Sequence, residues 1–197
     1  MDLIDQLVGV APGSAMDRIR TRRGIARAQS EASYRVLFTP EAMGEVSAVE
    51  RFAIGAYVAG LHGPSPTATH YAAELAARAP AALAAAVAIA VVETGGSGPY
   101  GRFPAGPLSA EYVPGPDCAL RPEVAAALGP RLAAGVAHAH VLVFHPRDAT
   151  PERLRPLVDA GWSTTAIVTL SQIVAFLAYQ LRVVAGLRVL AANLAEG

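Results

Sequence analysis

Residues 46–76 read VSAVERFAIGAYVAGLHGPSPTATHYAAELA, and this stretch decides the fold. It spells two helices separated by one short break. Ser47 is a good N-cap residue and Glu50 lies three positions on, the spacing of a capping box. A mostly apolar helix then runs to about Leu61. Gly63, Pro64 and Pro66 end it, because glycine loosens the backbone and each proline lacks the amide donor. A second helix starts near Pro66 or Thr67 and carries His70 and Tyr71 on its early turns. A carboxylate on one helix and an imidazole at the start of the next form a candidate general acid–base pair, which needs no thiol.

The surrounding composition suits a helical protein with much apolar surface to bury. The chain has 197 residues, 53% hydrophobic and only 16% charged, enough for one domain or two fused small halves. Sixteen basic residues balance sixteen acidic ones. No basic face dominates, so a nucleic-acid partner is not expected, whereas apolar burial between subunits is. Cys118 is the only cysteine, which excludes an internal disulfide, a CxxC redox pair and a cysteine-rich zinc site. The start MDLIDQLVGV carries acids and lacks the basic opening of a secretory signal, so a cytoplasmic location is the default. Thr164 to Leu181 carries no charge, but it holds Ser171, Gln172 and Gln180 and reads as a buried core or interface helix, not a membrane span.

Outward from the central stretch, residues 1–45 read as an N-terminal helical arm. Arg18, Arg20, Arg22, Arg23 and Arg27 crowd one polar helix running to about Leu37, a solvated face or an arm laid over a neighbouring subunit. Pro80 begins an alanine-rich helix. The segment from Thr94 to Pro116 then breaks all periodicity with six glycines and five prolines. Loops of this length are often functional, and Tyr100, Phe103 and Tyr112 are aromatic enough to cover something. Beyond the loop, Leu128, Leu132, Val136, Ala139 and Val143 recur at helical spacing to about Phe144. Thr150-Pro151 starts a further helix, and Ser163 caps the last and longest. On that last helix Ile167, Leu170, Val174, Leu177, Leu181 and Val184 form one apolar stripe. Ile173, Phe176, Val183, Leu187 and Leu190 form a second, so burial on two sides is expected. The class is all-α.

These features together resemble the alkylhydroperoxidase D / carboxymuconolactone decarboxylase superfamily, in particular its peroxidase-related branch. Ser47 to Ala76 is similar to the family's leader helix and the CxxCxxxH helix that follows it. The stretch from Pro151 to Leu190, with its LRPLVDAGWSTTAIVTLSQIVAFLAYQLRVVAGLRVL run, is similar to the closing helices. The resemblance implies a helical bundle of two related halves, here residues 46–95 and 120–197 within a domain of residues 46–197, joined by the 94–119 loop. It also implies a homo-oligomer. The family's paired cysteines lie seven and four residues before the histidine, and counting back from His70 reaches Gly63 and Pro66. Both thiol positions are vacant. Dithiol chemistry needs a thiolate and a resolving thiol, so the usual hydroperoxide reduction is not expected at this site.

Three functions follow as expectations. The first is acid–base chemistry on, or binding of, a small molecule at a Glu50/His70 site, as the decarboxylase branch manages without the redox cysteines. His62 and Tyr71 would line the same break, and Tyr100 and Phe103 would contact the substrate from the loop. The second is a peroxidase-related antioxidant protein using Cys118 or an external thiol, although Asp117 beside it raises the thiol pKa. The third is a non-catalytic oligomer binding a small ligand under the 94–116 loop. No cofactor is expected. No metal is expected either: His138 and His140 stand two apart and point to nearly opposite sides of a helix, and His145-Pro146-Arg147-Asp148 reads as a turn. Trp162 reads as a helix-start anchor, and Gln180 and Arg182 as hydrogen-bonding groups at a buried helix contact.

Overall fold

The computed structural model describes residues 2–195. Their regular structure is helical: α1 (Leu3–Val8), α2 (Ala15–Arg22), α3 (Gly24–Phe38), α4 (Ala48–Leu61), α5 (Pro66–Ala76), α6 (Ala81–Thr94), α7 (Pro122–Phe144), α8 (Pro151–Asp159) and α9 (Thr164–Ala195). Among the described residues there is no strand, only one isolated bridge between Gly101 and Val113. The all-α expectation holds.

Local chemistry sets the helix ends where the sequence places them. Ser47 Oγ accepts from the Glu50 amide (3.2 Å) while Glu50 Oε2 accepts from the Ser47 amide (2.8 Å), a complete capping box. Gly63 takes φ +87°, a left-handed turn that other residues rarely adopt, and Ser65 Oγ then caps α5 through the Ala68 amide (3.1 Å). Ser163 does the same for α9 through the Ala166 amide. One break is new: Gly129, at φ +76°, interrupts α7 just before Pro130.

Helix α4 is the axis of the bundle, packed on α5, α6, α7 and α9. Every residue from Arg51 to Ala59 is buried. Small residues allow this crowding. A Cβ on Gly55 would stand 2.9 Å from both the Phe38 and Tyr71 rings, and one on Gly135 would stand 2.9 Å from Trp162. One hydrophobic core runs through α3 to α9, from Phe38 and Phe52 to Leu157, Leu170 and Leu177. Burying each such side chain contributes on the order of 1.5–3 kcal/mol.

The first 45 residues correct the expectation of one solvated helix. They form three helices, divided at Arg23, and α1 and α3 pack on α9 of the same chain. Arg20 is buried and donates to Asp2 (2.7 Å) and Asp5 (2.8 Å). Arg27 reaches Asp5 and Asp17. Such a network contributes little net stability over an apolar contact, but it is costly to break because an unpaired charge stays buried. Only Arg18, Arg22 and Arg23 of the five are solvated. Arg51 fastens the α3–α4 connection by donating to the carbonyls of Leu37, Met43 and Val46.

Helix α9 buries its first stripe in full from Leu170 to Val184. The second stripe is buried at Ile173 and Phe176, half-buried at Val183 and Leu187 and exposed at Leu190, and Val189 and Leu194 beside it are exposed as well. By length and composition alone, α7 and α9 could each cross a membrane; here each also supplies one face to the core. Gln180 is buried and accepts from the Tyr71 hydroxyl (2.8 Å), as a buried contact should. Arg182, by contrast, is exposed and donates only to Ala178 on its own helix.

Candidate functional site

The structure does not bring Glu50 and His70 together. Along α4, Glu50 and Ile54 share the side that meets α7, while Phe52 and Gly55 face Phe38 and Tyr71. Glu50 Oε1 accepts from Arg131 Nε (2.6 Å), and Oε2 accepts from the Ser47 amide and hydroxyl (2.8 Å each). Burial raises this carboxyl, but Arg131 and Ser47 outweigh it and hold the pKa below the ordinary glutamate value. Both oxygens are spent on structure. His70 sits on α5 with Nε2 3.3 Å from the Tyr34 hydroxyl, and burial lowers its pKa. Tyr34 itself is pushed up to about 12, chiefly by burial, so its hydroxyl keeps its proton.

The other expected residues separate as well. Tyr71 is fully buried and donates its hydroxyl to Gln180. His62 is exposed, and its Nδ1 lies 2.9 Å from the Val58 carbonyl oxygen of its own helix. It borders a cavity of about 470 Å³ with Arg182 and the 96–99 segment, away from His70. Tyr100 and Phe103 do share a place, in the long loop.

That loop lies against the α7–α8 connection and encloses with it a cleft of about 590 Å³. The closing contacts are specific. His145 Nε2 donates to the Pro116 carbonyl (2.8 Å), and its Nδ1 lies 3.1 Å from Asp148 Oδ2. Asp148 Oδ1 accepts from the Arg102 amide (3.0 Å), which, with burial opposing and His145 assisting, holds this carboxyl below its ordinary value. The Tyr100 amide donates to the Phe144 carbonyl (2.6 Å). Gly101, at φ +107°, fits only as glycine, because a Cβ there would meet the Asp148 carboxylate at 2.6 Å.

Inside the cleft, arginines stand over aromatic rings. The Arg147 guanidinium stands 4.0 Å from the Phe103 ring centre and that of Arg102 4.8 Å from Tyr112. Stacking holds a guanidinium by its face and leaves its in-plane donors free. Arg102 makes no side-chain hydrogen bond among the described residues, and Arg147 makes one long one, to the Glu111 carbonyl (3.5 Å). Arg153 is committed to Asp117 (2.8 Å). The aspartates are therefore spent on Arg153, on His145 and on a backbone amide, and Arg102 and Arg147 have no carboxylate partner among the described residues.

Behind the cleft lies a small polar cluster. The Tyr57 hydroxyl stands 2.7 Å from Thr94 Oγ1 and 3.9 Å from Cys118 Sγ, and His140 Nε2 donates to the Thr94 carbonyl (3.1 Å). Burial pushes the Cys118 thiol up, and the Asp117 charge adds to it against a hydrogen bond with Tyr57. This is the environment of a protonated, sluggish thiol. His138 and His140 do face opposite ways, His138 toward Ser171 on α9. His145 and His140 come within 5.8 Å of each other because the chain leaves the helix at Phe144, which spacing along a regular helix does not anticipate. No three of the described His, Cys, Asp and Glu residues are grouped to hold a metal ion.

Arg102, Arg147 and Arg153 carry no motif in the sequence. The one signal is their interleaving with aromatics and glycines in and beside the loop, and the HPRD segment, a 3₁₀ turn at Pro146–Asp148, doubles as the cleft wall. No protein family, curated protein or solved structure matches this chain.

Proposed function

We propose that this protein is an alkylhydroperoxidase D-like helical protein without the redox cysteine pair, which binds a small anionic molecule, a carboxylate in the simplest case, under its long loop. The observation that carries this reading is the pair of guanidinium groups that line the cleft, Arg147 over Phe103 and Arg102 over Tyr112, neither of which has a carboxylate partner among the described residues. Planar donor forks of this kind match carboxylate geometry. The likeness of residues 47–76 and 151–190 to the superfamily supports the fold assignment, with α4–α6 and α7–α9 as its two halves. A homo-oligomer is supported by the exposed apolar residues Val92, Val189 and Leu194.

The other two readings are less well supported. Acid–base chemistry by Glu50 and His70 has no shared site, since Glu50 is bonded to Arg131 and Ser47. Antioxidant chemistry through Cys118 has a half-buried thiol with a raised pKa.

Isothermal titration with propionate and benzoate tests the proposal. The wild type should bind, and replacing both Arg102 and Arg147 by Ala should weaken binding by tenfold or more, on the order of 1.4 kcal/mol. Failure of the wild type to bind any small carboxylate would overturn it.

A further inference from the structure

A second cavity, of about 630 Å³, lies between α7, α8 and α9. Its walls are apolar: Val141, Leu142, Leu154, Ile167 and Val168. Thr150 and Arg153 border both this cavity and the loop-covered cleft. The two spaces therefore lie on either side of the same residues, at the first turn of α8. One is lined by arginine donors, the other by hydrocarbon.

The polar groups that line the second cavity are His138, Thr150, Ser171 and Gln172, beside Arg153. Ser171 Oγ donates its only proton to the Ile167 carbonyl (2.9 Å), so His138 Nε2, 3.4 Å away, is the donor to that oxygen. Burial lowers the His138 pKa and keeps the ring neutral. The inner end of the cavity thus carries no charge. The charged group in its lining, Arg153, stands at the end shared with the cleft.

We infer that the ligand of this protein is a single-chain amphiphile, a medium-chain carboxylate, with its head on Arg102 and Arg147 under the loop and its hydrocarbon tail past Thr150 and Arg153 into the cavity between α7, α8 and α9. The inference rests on the loop-cleft reading above and extends it. A short carboxylate fills only the cleft and leaves an apolar cavity of ligand size beside it. A purely apolar molecule would leave the arginine donors unmatched. A chain with one charged end satisfies both.

Titration with a homologous series decides it. Each methylene buried adds up to about fourfold in affinity, so octanoate should bind at least about tenfold more tightly than propionate. Octanol, which has the tail but no charge, should bind at least tenfold more weakly than octanoate. Leu154→Gln and Val168→Gln, both at partly exposed positions where folding is not at risk, should remove most of the chain-length advantage and leave propionate affinity unchanged. If octanoate binds no better than propionate, the tail site is wrong while the anion site stands. If no carboxylate of any length binds, the loop-cleft reading itself falls. Octanol binding as tightly as octanoate overturns the head assignment. Sedimentation with phosphatidylglycerol vesicles separates the free acid from a membrane source: the protein should stay in solution, and co-sedimentation through the same Leu154 and Val168 face would overturn the free acid as ligand.

Discussion

Arg131 donates to Glu50 at 2.6 Å while its guanidinium lies 4.4 Å from the centre of the Trp162 ring. One arginine thus ties the start of α4 to α7 and to the α8–α9 connection, whose Gly161 carbonyl it also reaches. Trp162 returns the contact by donating its indole N–H to the Arg131 carbonyl (2.8 Å). Glu50 belongs to this joint.

Glu50→Ala removes the capping-box acid and the Arg131 partner together. A loss of about 2–3 kcal/mol is expected, from a cap of roughly 1 kcal/mol and a charge-assisted bond of about 1.5–3, reduced because Arg131 is about a third exposed. Urea denaturation measures it. Propionate binding at the loop cleft, far along the bundle, should not change. An unaltered midpoint together with lost ligand binding would return Glu50 to a functional role.

Two buried histidines and one half-buried one set the acid side of stability. His70, His138 and His140 all have pKa values lowered, chiefly by burial. In the unfolded chain each titrates near 6.5, so the unfolded state binds more protons and stability falls with falling pH. The stability is complete above about pH 6.5 and is lost as pH drops through that value toward the lower folded values. Thermal melts between neutral and mildly acid pH should show this decline, and His138→Asn should make it shallower. A flat profile would mean these rings are already charged in the fold.

Cys118 is expected to be a slow thiol. With burial and Asp117 both raising its pKa, alkylation by iodoacetamide at neutral pH should be slower than that of a free cysteine, and should accelerate with rising pH. Peroxide consumption with a thiol reductant should be negligible and equal in the wild type and Cys118→Ser. Rapid consumption abolished by that substitution would establish the antioxidant reading in place of anion binding.

How much of this was legible beforehand differs by residue. Ser47, Glu50, Gly63 and Pro66 announce the two helices and their break, because capping and backbone restriction act within a few residues of chain. The same local logic located α6, α8 and α9. It also misled at Arg20, where a run of arginines looked solvated; its acid partners, Asp2 and Asp5, lie fifteen and more residues away and only folding brings them in. The cleft was half legible. Tyr100 and Phe103 stood out as aromatics in a glycine-rich loop, but nothing in the sequence says that Arg147 lies on Phe103.

The sequence by itself determined an all-α chain, the helix ends around Ser47, Gly63 and Ser163, and the absence of a cysteine pair at Gly63 and Pro66, since these depend on neighbours along the backbone. Only the tertiary structure decided what each polar side chain does. Glu50 meets Arg131 across 81 positions, and Tyr71 meets Gln180 across 109. Such pairings follow from how the helices pack around α4, and packing depends on the shape of the whole core.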